Sequence, residues 1–359
     1  MKENVELSIV IPTYNERDNI VELLDRISKV LNDKFKYEVI VVDDNSPDGT
    51  WKVVMEYSKK DNRVKVIRRI NERGLSSAIM RGILESKSKI VTVMDADLQH
   101  PPEIIPTMYD VLRFKNADIV VASRYVKGGG VENWSFLRRL ISRVAILVGK
   151  ALEPKLRGVN DPISGFFMIR KDVIKNAKLE LLGYKFLVEV LSRGRYHRVL
   201  EVPYTFKPRV RGVSKLGFKE IFKYLRLLLK LTNYRIIKFS TVGASGIFVN
   251  EGLLYLQVES GILPVYYASP LAIWASIISN FTLNEFWTFR DKQVSRSLRD
   301  ILKRLIKYHG AVAIGALVNY TTLIVLITFG VYYLVANFIG ILLGFITNYA
   351  LSEHLVWRE

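Results

Sequence analysis

From Ile236 onward the sequence is dominated by four long apolar segments, about 236–258, 264–289, 308–330 and 332–356. No other feature limits the possible folds so strongly. As a helix, each segment is long enough to cross about 30 Å of hydrocarbon. Four in succession, with little between them, predict an all-α transmembrane domain of four helices over 234–359 rather than the core of a soluble protein. The loop joining the second and third segments, RDKQVSRSLRDILKRLIK, carries seven Lys or Arg against two Asp. The other two connections, near VESGILP and around Gly330, carry no Lys or Arg. Basic loops stay in the cytoplasm, so both termini and the N-terminal half are expected there. Tyr266–Tyr267 and Tyr332–Tyr333 open the second and fourth segments, where an outer aromatic belt would sit.

The apolar half contains a repeat. RIIKFSTVGASGIFVN (235–250) and RLIKYHGAVAIGALVN (304–319) share R-x-I-K-aromatic, a glycine at the twelfth position and a closing V-N. SNFTLNEFWTFR (279–290) likewise matches TNYALSEHLVWR (347–358). Two copies of one helical hairpin in the same orientation are expected. Gly243, Gly246, Gly310 and Gly315 would allow close helix approach. Asn250, Glu251, Asn284, Glu285, Asn319 and Glu353 lie in or at the ends of the spans. They should face one another or a cavity, either fixing the bundle or handling a lipid headgroup. This half resembles the small four-helix membrane domain of the GtrA type, which accompanies lipid-linked sugar transfer.

Residues 1–233 read as a soluble α/β domain. LSIVIPTYNE, YEVIVVDDNSPDGT, KVIRR, KIVTVMDAD and ADIVVASR are apolar runs separated by helical patterns at 20–31 and 74–86. That alternation predicts a mostly parallel, Rossmann-like sheet with crossover helices. Runs such as VIVV imply burial on both faces.

Composition excludes several chemistries. The 53 Lys plus Arg against 35 Asp plus Glu leave a net charge of +18, which suits phosphorylated substrates or an anionic membrane surface. A nucleic-acid partner is set aside because of the spans and the acid-rich strand ends. There is no cysteine, and the four histidines form no HxxH or HExxH pattern, so thiolate chemistry and a zinc site are not expected. The N-terminus, MKENVELSIVIP, carries no signal-peptide core.

In an open α/β sheet, ligands gather at the carboxyl ends of the strands. Pro12, Tyr14 and Glu16, then Asp43 and Asp44, then Asp95, Asp97 and Gln99, then Ser123 and Arg124 all fall at such ends. A single acid could cap a helix; several strands delivering acids to one edge could not all do so. No G-x-G-x-x-G follows the first strand and there is no P-loop, so a nucleotide would be gripped by side chains and a metal. Crowded carboxylates repel one another but suit a hard divalent cation, Mg²⁺ or Mn²⁺, that bridges a diphosphate. Asp97 and Gln99 are expected as direct ligands, with Asp95 orienting the ribose or holding a metal-bound water.

VIPTYNE, VVDDNSPDGT, GLSSA, MDADLQHPPE and DPISGF resemble the family 2 glycosyltransferases of GT-A fold, over nearly all of residues 5–215. Within that family, SPDGT, ASRYVKGGGVENWSFLRRLISR and VPYTFKPRVRGVSKLG resemble the dolichol-phosphate mannose synthases. The Q-x-x-R-W of processive polysaccharide synthases is missing. The resemblance implies a GDP-mannose donor and a dolichyl or other polyprenyl phosphate acceptor. It implies nucleotide contacts at Pro12, Tyr14, Glu16, Val42, Asp44, Asp95, Ala96, Asp97, Arg209 and Lys215, with Asp95, Asp97, Arg124 and Arg209 carrying catalysis. Arg124, Ser135, Arg138 and Arg211 are the expected acceptor-phosphate contacts, since arginine pairs phosphate bidentately. Asp161, in DPISGF, would orient the sugar or an arginine.

Segments 134–152 and 216–231 are expected to be amphipathic helices lying in the membrane interface. In the second, Lys219, Lys223, Arg226 and Lys230 form one basic stripe suited to lipid headgroups. A phosphate monoester, with its second pKa of about 6, is already an anionic nucleophile near neutral pH. Positioning and charge neutralisation would then suffice for a single inverting displacement. Two rival readings share these features: a polyprenyl-phosphate glucosyltransferase using UDP-glucose, and a flippase of lipid-linked sugars with a sensing module.

Overall fold

The computed structural model describes residues 5–181, 183–208, 218–293, 295 and 297–357. The chain divides into two compact units, Met1–Leu231 and Thr232–Glu359.

In the first unit, β1 (Leu7–Thr13), β2 (Tyr37–Asp43), β3 (Val64–Arg68) and β4 (Ile90–Val93) alternate with α1 (Arg17–Leu31), α2 (Thr50–Lys60) and α3 (Leu75–Glu85). After α4 (Ile105–Phe114) come β5 (Ile119–Ser123), the short β6 (Gly130–Val131), α5 (Phe136–Leu152), β7 (Phe167–Arg170), α6 (Phe186–Arg193), β8 (Val199–Pro203), β9 (Thr205–Phe206) and α7 (Phe218–Leu231). Seven strands form one sheet in the order β3-β2-β1-β4-β7-β5-β8. It is parallel except at β7, which runs antiparallel to both neighbours, pairing Phe167 with Val93 and with Val121. The apolar runs begin within two residues of β1 to β5, though KIVTVMDAD runs four residues past the end of β4. β7 gives no such signal, because FMIR is four residues long and carries no alternation. A ribbon of β6 and β9 aligns Gly130 with Thr205.

Alternate residues of the strands build two cores, as a pleated sheet covered on both faces requires. Ile9, Ile11, Val39 and Val41 face α1 and α4 through Leu23, Ile27, Met108 and Leu112. Val10, Ile40, Val42 and Val93 face α3 and α6 through Ile79, Ile83, Leu187 and Leu191. α3 sits so close to β1 that a Cβ added at Gly82 would lie 2.3 Å from Val10 Cγ1. α7 joins the second core through Leu227 and Leu228, and its Tyr224 hydroxyl donates to the Ala145 carbonyl of α5 at 3.0 Å.

α5 leaves Phe136, Leu137, Leu140, Val144 and Leu147 exposed along one side and buries Ser142, Ile146 and Gly149 on the other. Two cations of the basic stripe of α7 have partners within the domain. Lys230 pairs with Glu180 at 2.6 Å, and Lys223 lies over the Tyr184 ring at 4.6 Å. These two cations are drawn to carboxylate and aromatic partners within the domain, where a partly dry contact outcompetes open solvent.

The second unit holds α8 (Arg235–Glu259), α9 (Val265–Leu283), α10 (Leu298–Thr328) and α11 (Tyr333–Leu351), with α8 packed on α9 and α10 on α11. Helix α10 starts at Leu298, so much of the basic connection is the first turns of a helix rather than a loop. Among the described residues, Leu298–Thr328 and Phe338–Val356 are long and apolar enough to cross a membrane. At about 1.5 Å per residue α8 and α9 reach about 37 and 28 Å, but Asn250 and Glu251 in one, and Tyr266, Tyr267 and Asn280 in the other, dilute their apolar character.

The repeat has a structural counterpart inside this unit. α9 and α11 both end in a wide turn, closed by Phe289 N to Asn284 O at 2.9 Å and by Trp357 N to Ser352 O at 3.0 Å. Each wide turn buries a glutamate, and the two hairpins exchange partners. Arg304 of the second repeat pairs with Glu285 of the first at 2.6 Å, while Arg235 of the first pairs with Glu353 of the second at 3.3 Å. Lys292 adds a contact to Glu353 at 2.7 Å, and Trp357 Nε1 donates to Glu285 at 2.7 Å. Equivalent aromatic pairs, Phe239–Tyr349 and Phe281–Tyr308, flank Phe289 and Trp357, whose rings stack at 4.4 Å. Gly246 and Gly315, the shared twelfth residues, lie against Asn280 and Asn348.

Candidate active site

The loops that leave the carboxyl ends of β1, β2, β4 and β5 build the site. The first two brace each other. Asp43 accepts from Thr13 Oγ1 at 2.9 Å and from Ser46 Oγ at 2.6 Å, so its carboxylate is consumed in holding the loop. Asn15 N donates to Ser46 Oγ and Glu16 N to Thr50 Oγ1, both at 3.0 Å. Asp44, the next residue along, points the other way, as strand alternation requires. It accepts from Arg69 Nε at 2.7 Å and from Gly74 N at 2.8 Å. Its two oxygens have about four lone-pair sites, so a ribose hydroxyl can still be accommodated. Tyr14 is covered by the Arg73 guanidinium, 5.1 Å above its ring. Pro12 pairs with Val42 across the sheet, and the Val42 side chain is fully buried in the core; it can offer a ligand only main-chain atoms.

The end of β4 carries Asp95, Ala96, Asp97, Leu98, Gln99 and His100. Leu98 has φ 63°, a left-handed conformation that turns the chain sharply between Asp97 and Gln99. Gln99 N donates to Asp97 Oδ1 at 3.2 Å, and Gln99 Nε2 donates to the Lys207 carbonyl at 2.8 Å. With that nitrogen engaged, the amide presents only its oxygen to a cation. Asp97 is 6% exposed and Gln99 7%, whereas the Asp95 side chain is 36% exposed. Ala96 is buried under the loop. His100 is stacked on Phe166 at 5.1 Å, and its Nδ1 accepts from Asp95 N at 3.0 Å. Burial holds this imidazole neutral, with its pKa down at about 4. Among the described residues no three His, Cys, Asp or Glu side chains converge on one point. Two carboxylates and an amide oxygen nonetheless fit Mg²⁺ or Mn²⁺, which take few protein ligands and draw the rest from phosphates and water. They do not fit Zn²⁺.

Arg124 follows β5. Its Nε and Nη2 each reach an oxygen of Asp161 at 2.7 Å, and its backbone N reaches Asp161 at 3.1 Å. Both side chains are closed to solvent, at 8% and 0% exposure. Burial opposes the guanidinium's charge, but the Asp161 hydrogen bonds outweigh it and raise its pKa further. Asp161 is held in turn by Glu201, which accepts from its backbone N at 3.0 Å. Ser135 caps α5, accepting from Arg138 N at 3.3 Å, and the Arg138 guanidinium lies 4.3 Å from the Trp134 ring.

Asp95, Gln99, Arg124, Trp134 and Arg138 share a cavity of about 280 Å³, so the expected metal-side and acceptor-side residues meet in one space. Ser135 and Asp97 are not among its lining residues. Arg209, Arg211 and Lys215 lie outside the described residues. Lys185, Tyr204 and Glu220 also line this cavity and were not expected there. Lone residues in GYKF, VPYTF and FKEIF have no spacing to mark them, so the sequence holds no signal that could have found them.

An open sheet that gathers carboxylates and a buried arginine at its carboxyl edge has the layout of an α/β enzyme that takes its ligand there. Comparison with known proteins narrows the class. Residues 8–177 match Glycosyl transferase family 2, and residues 238–357 match the GtrA/DPMS transmembrane domain. The chain belongs to family 2 of the glycosyltransferases, carries a GtrA/DPMS membrane domain, and is a membrane-bound glycosyltransferase. The dolichol-phosphate mannosyltransferase of Pyrococcus furiosus is 48% identical over 358 residues, covering 98% of this chain and 99% of that protein. The dolichol-phosphate mannosyltransferase of Saccharomyces cerevisiae is 37% identical over 239 residues, covering 64% of this chain and 87% of that protein.

Proposed function

We propose that the enzyme transfers mannose from GDP-mannose to a dolichyl or related polyprenyl phosphate at the cytoplasmic membrane face, with inversion and with a divalent cation. The names of its relatives, one of them matched over 98% of this chain, support this acceptor and sugar. The observation that carries the mechanism is the single cavity in which Asp95 and Gln99 lie with Arg124 and Arg138. A cation held by Asp97 and Gln99, with Asp95 beside it, would neutralise charge on the diphosphate. Tyr14, Glu16 and Asp44 would hold the base and ribose. Asp161 fixes the Arg124 guanidinium before substrate arrives, so no reorganisation is needed as charge develops. The acceptor phosphate is anionic near neutral pH and needs no general base; His100, neutral and stacked in the aromatic wall, excludes water rather than moving a proton. The exposed apolar side of α5 fits immersion in a bilayer surface, which would bring a lipid phosphate to the cavity.

Incubating the purified protein with each labelled sugar nucleotide and a polyprenyl phosphate tests the reading. Mannosyl lipid formed only from GDP-mannose supports it. Glucosyl lipid formed from UDP-glucose would overturn the donor, and transbilayer lipid movement without any product would overturn the enzymatic role.

A further inference from the structure

Any anion entering the cavity needs uncompensated positive charge, and of the two expected arginines that line it, Arg124 is already committed. Arg124 spends Nε and Nη2 on Asp161, a carboxylate fully closed to solvent. The pair is close to neutral as seen by a third group. Lys185, on the turn before α6, lines the same cavity as Asp95, Gln99 and Arg124. Among the described residues its only hydrogen bond is to a backbone oxygen, Ile163 O, at 3.1 Å, and no carboxylate lies within ion-pair distance of its ammonium. Tyr184, beside it, is held by Lys223 of α7, so the turn that presents Lys185 is braced from outside the cavity.

We propose that Lys185 binds the acceptor phosphate, its ammonium leaving the Ile163 carbonyl for an oxygen of the incoming lipid phosphate. This rests on the polyprenyl-phosphate reading above and adds a residue to it. The ammonium is buried, and burial together with the Arg124 charge outweighs the opposing pull of Asp161, Asp95 and Glu220 and lowers its pKa to about 8. A cation kept in such a place is costly when unpaired and is favoured once a dianion arrives. Lysine fits this role because it is a compact point charge on a flexible stem, able to follow the phosphate as it closes on the sugar.

The test uses the full-length protein in detergent with GDP-mannose and a polyprenyl phosphate, comparing wild type with Lys185→Met and Lys185→Arg. Loss of a charge-assisted hydrogen bond should raise the acceptor KM about tenfold or more in Lys185→Met. GDP-mannose affinity, measured by calorimetry, should stay within about twofold, and Lys185→Arg should recover most of the acceptor affinity. An unchanged acceptor KM in an active Lys185→Met enzyme would overturn the assignment. So would a parallel loss of GDP-mannose affinity, which would move Lys185 to the donor side. If Lys185→Met does not fold, Lys185→Gln takes its place under the same criteria. A wild-type enzyme that forms no lipid product from any donor would refute the functional reading itself, and this inference with it.

Discussion

Replacing Asp161 with Asn tests whether the buried pair with Arg124 is the keystone of the sheet's carboxyl edge. The carboxylate is fully closed to solvent and accepts three hydrogen bonds from Arg124, at 2.7, 2.7 and 3.1 Å. Asn keeps the shape, removes the charge and turns an N–H₂ group toward guanidinium N–H donors. Arg124 would remain buried with half its partners, at a cost of about 3–5 kcal/mol. For a unit of this size, each kcal/mol lowers the melting temperature by about 2–4 °C, so a drop of roughly 6–20 °C is expected. Thermal unfolding of the purified chain, followed by tryptophan fluorescence, reads it directly. Removing both charges with Arg124→Met and Asp161→Leu should restore much of the stability, because the uncompensated charge is gone, while transfer activity stays lost. An Asp161→Asn protein within about 1 kcal/mol of wild type would refute the idea that this pair holds the edge together.

Three further outcomes follow from the packing and the charges. Gly82→Ala should destabilise by about 1–3 kcal/mol, read as a lower melting temperature, because the new Cβ meets Val10 Cγ1 at 2.3 Å. Lys185→Met should stabilise the apo protein at pH 7 by roughly 1–3 kcal/mol: its folded pKa of about 8 lies below that of the unfolded chain, so the penalty for holding the charge is full below pH 8 and fades as pH rises toward the unfolded value of about 10.4. Its melting-temperature advantage over wild type should therefore vanish in alkaline buffer. In the membrane unit, exchanging the partners through Glu285→Arg with Arg304→Glu should recover more than about 1 kcal/mol relative to the sum of the single changes, as measured by melting in detergent.

The sequence made the candidate edge legible because strand ends are marked by chemistry: apolar runs stop at Thr13, Asp43, Met94 and Ser123, and acids or arginine follow within three residues. It could not separate the roles of neighbours. Asp43 and Asp44 read alike, yet the pleat sends one into a loop and the other toward Arg69 and Gly74. β7 was invisible because its four residues are stabilised by the two strands it joins, not by their own pattern. The membrane repeat was plain from its matched motifs. That Arg235 and Glu353, or Arg304 and Glu285, are partners was not, since sequence carries no register between one hairpin and the next. Lys185 escaped for the same reason: it becomes part of the site only when the turn before α6 is folded against the end of β4.

Anomalous scattering from crystals grown with Mn²⁺ and GDP-mannose would test the metal-bridged donor site most directly. One peak is expected within about 2–2.5 Å of the Asp97 carboxylate and Gln99 Oε1, with the diphosphate against it and the sugar toward Arg124. A donor bound away from residues 95–99, or bound there with no metal peak, would contradict the mechanism.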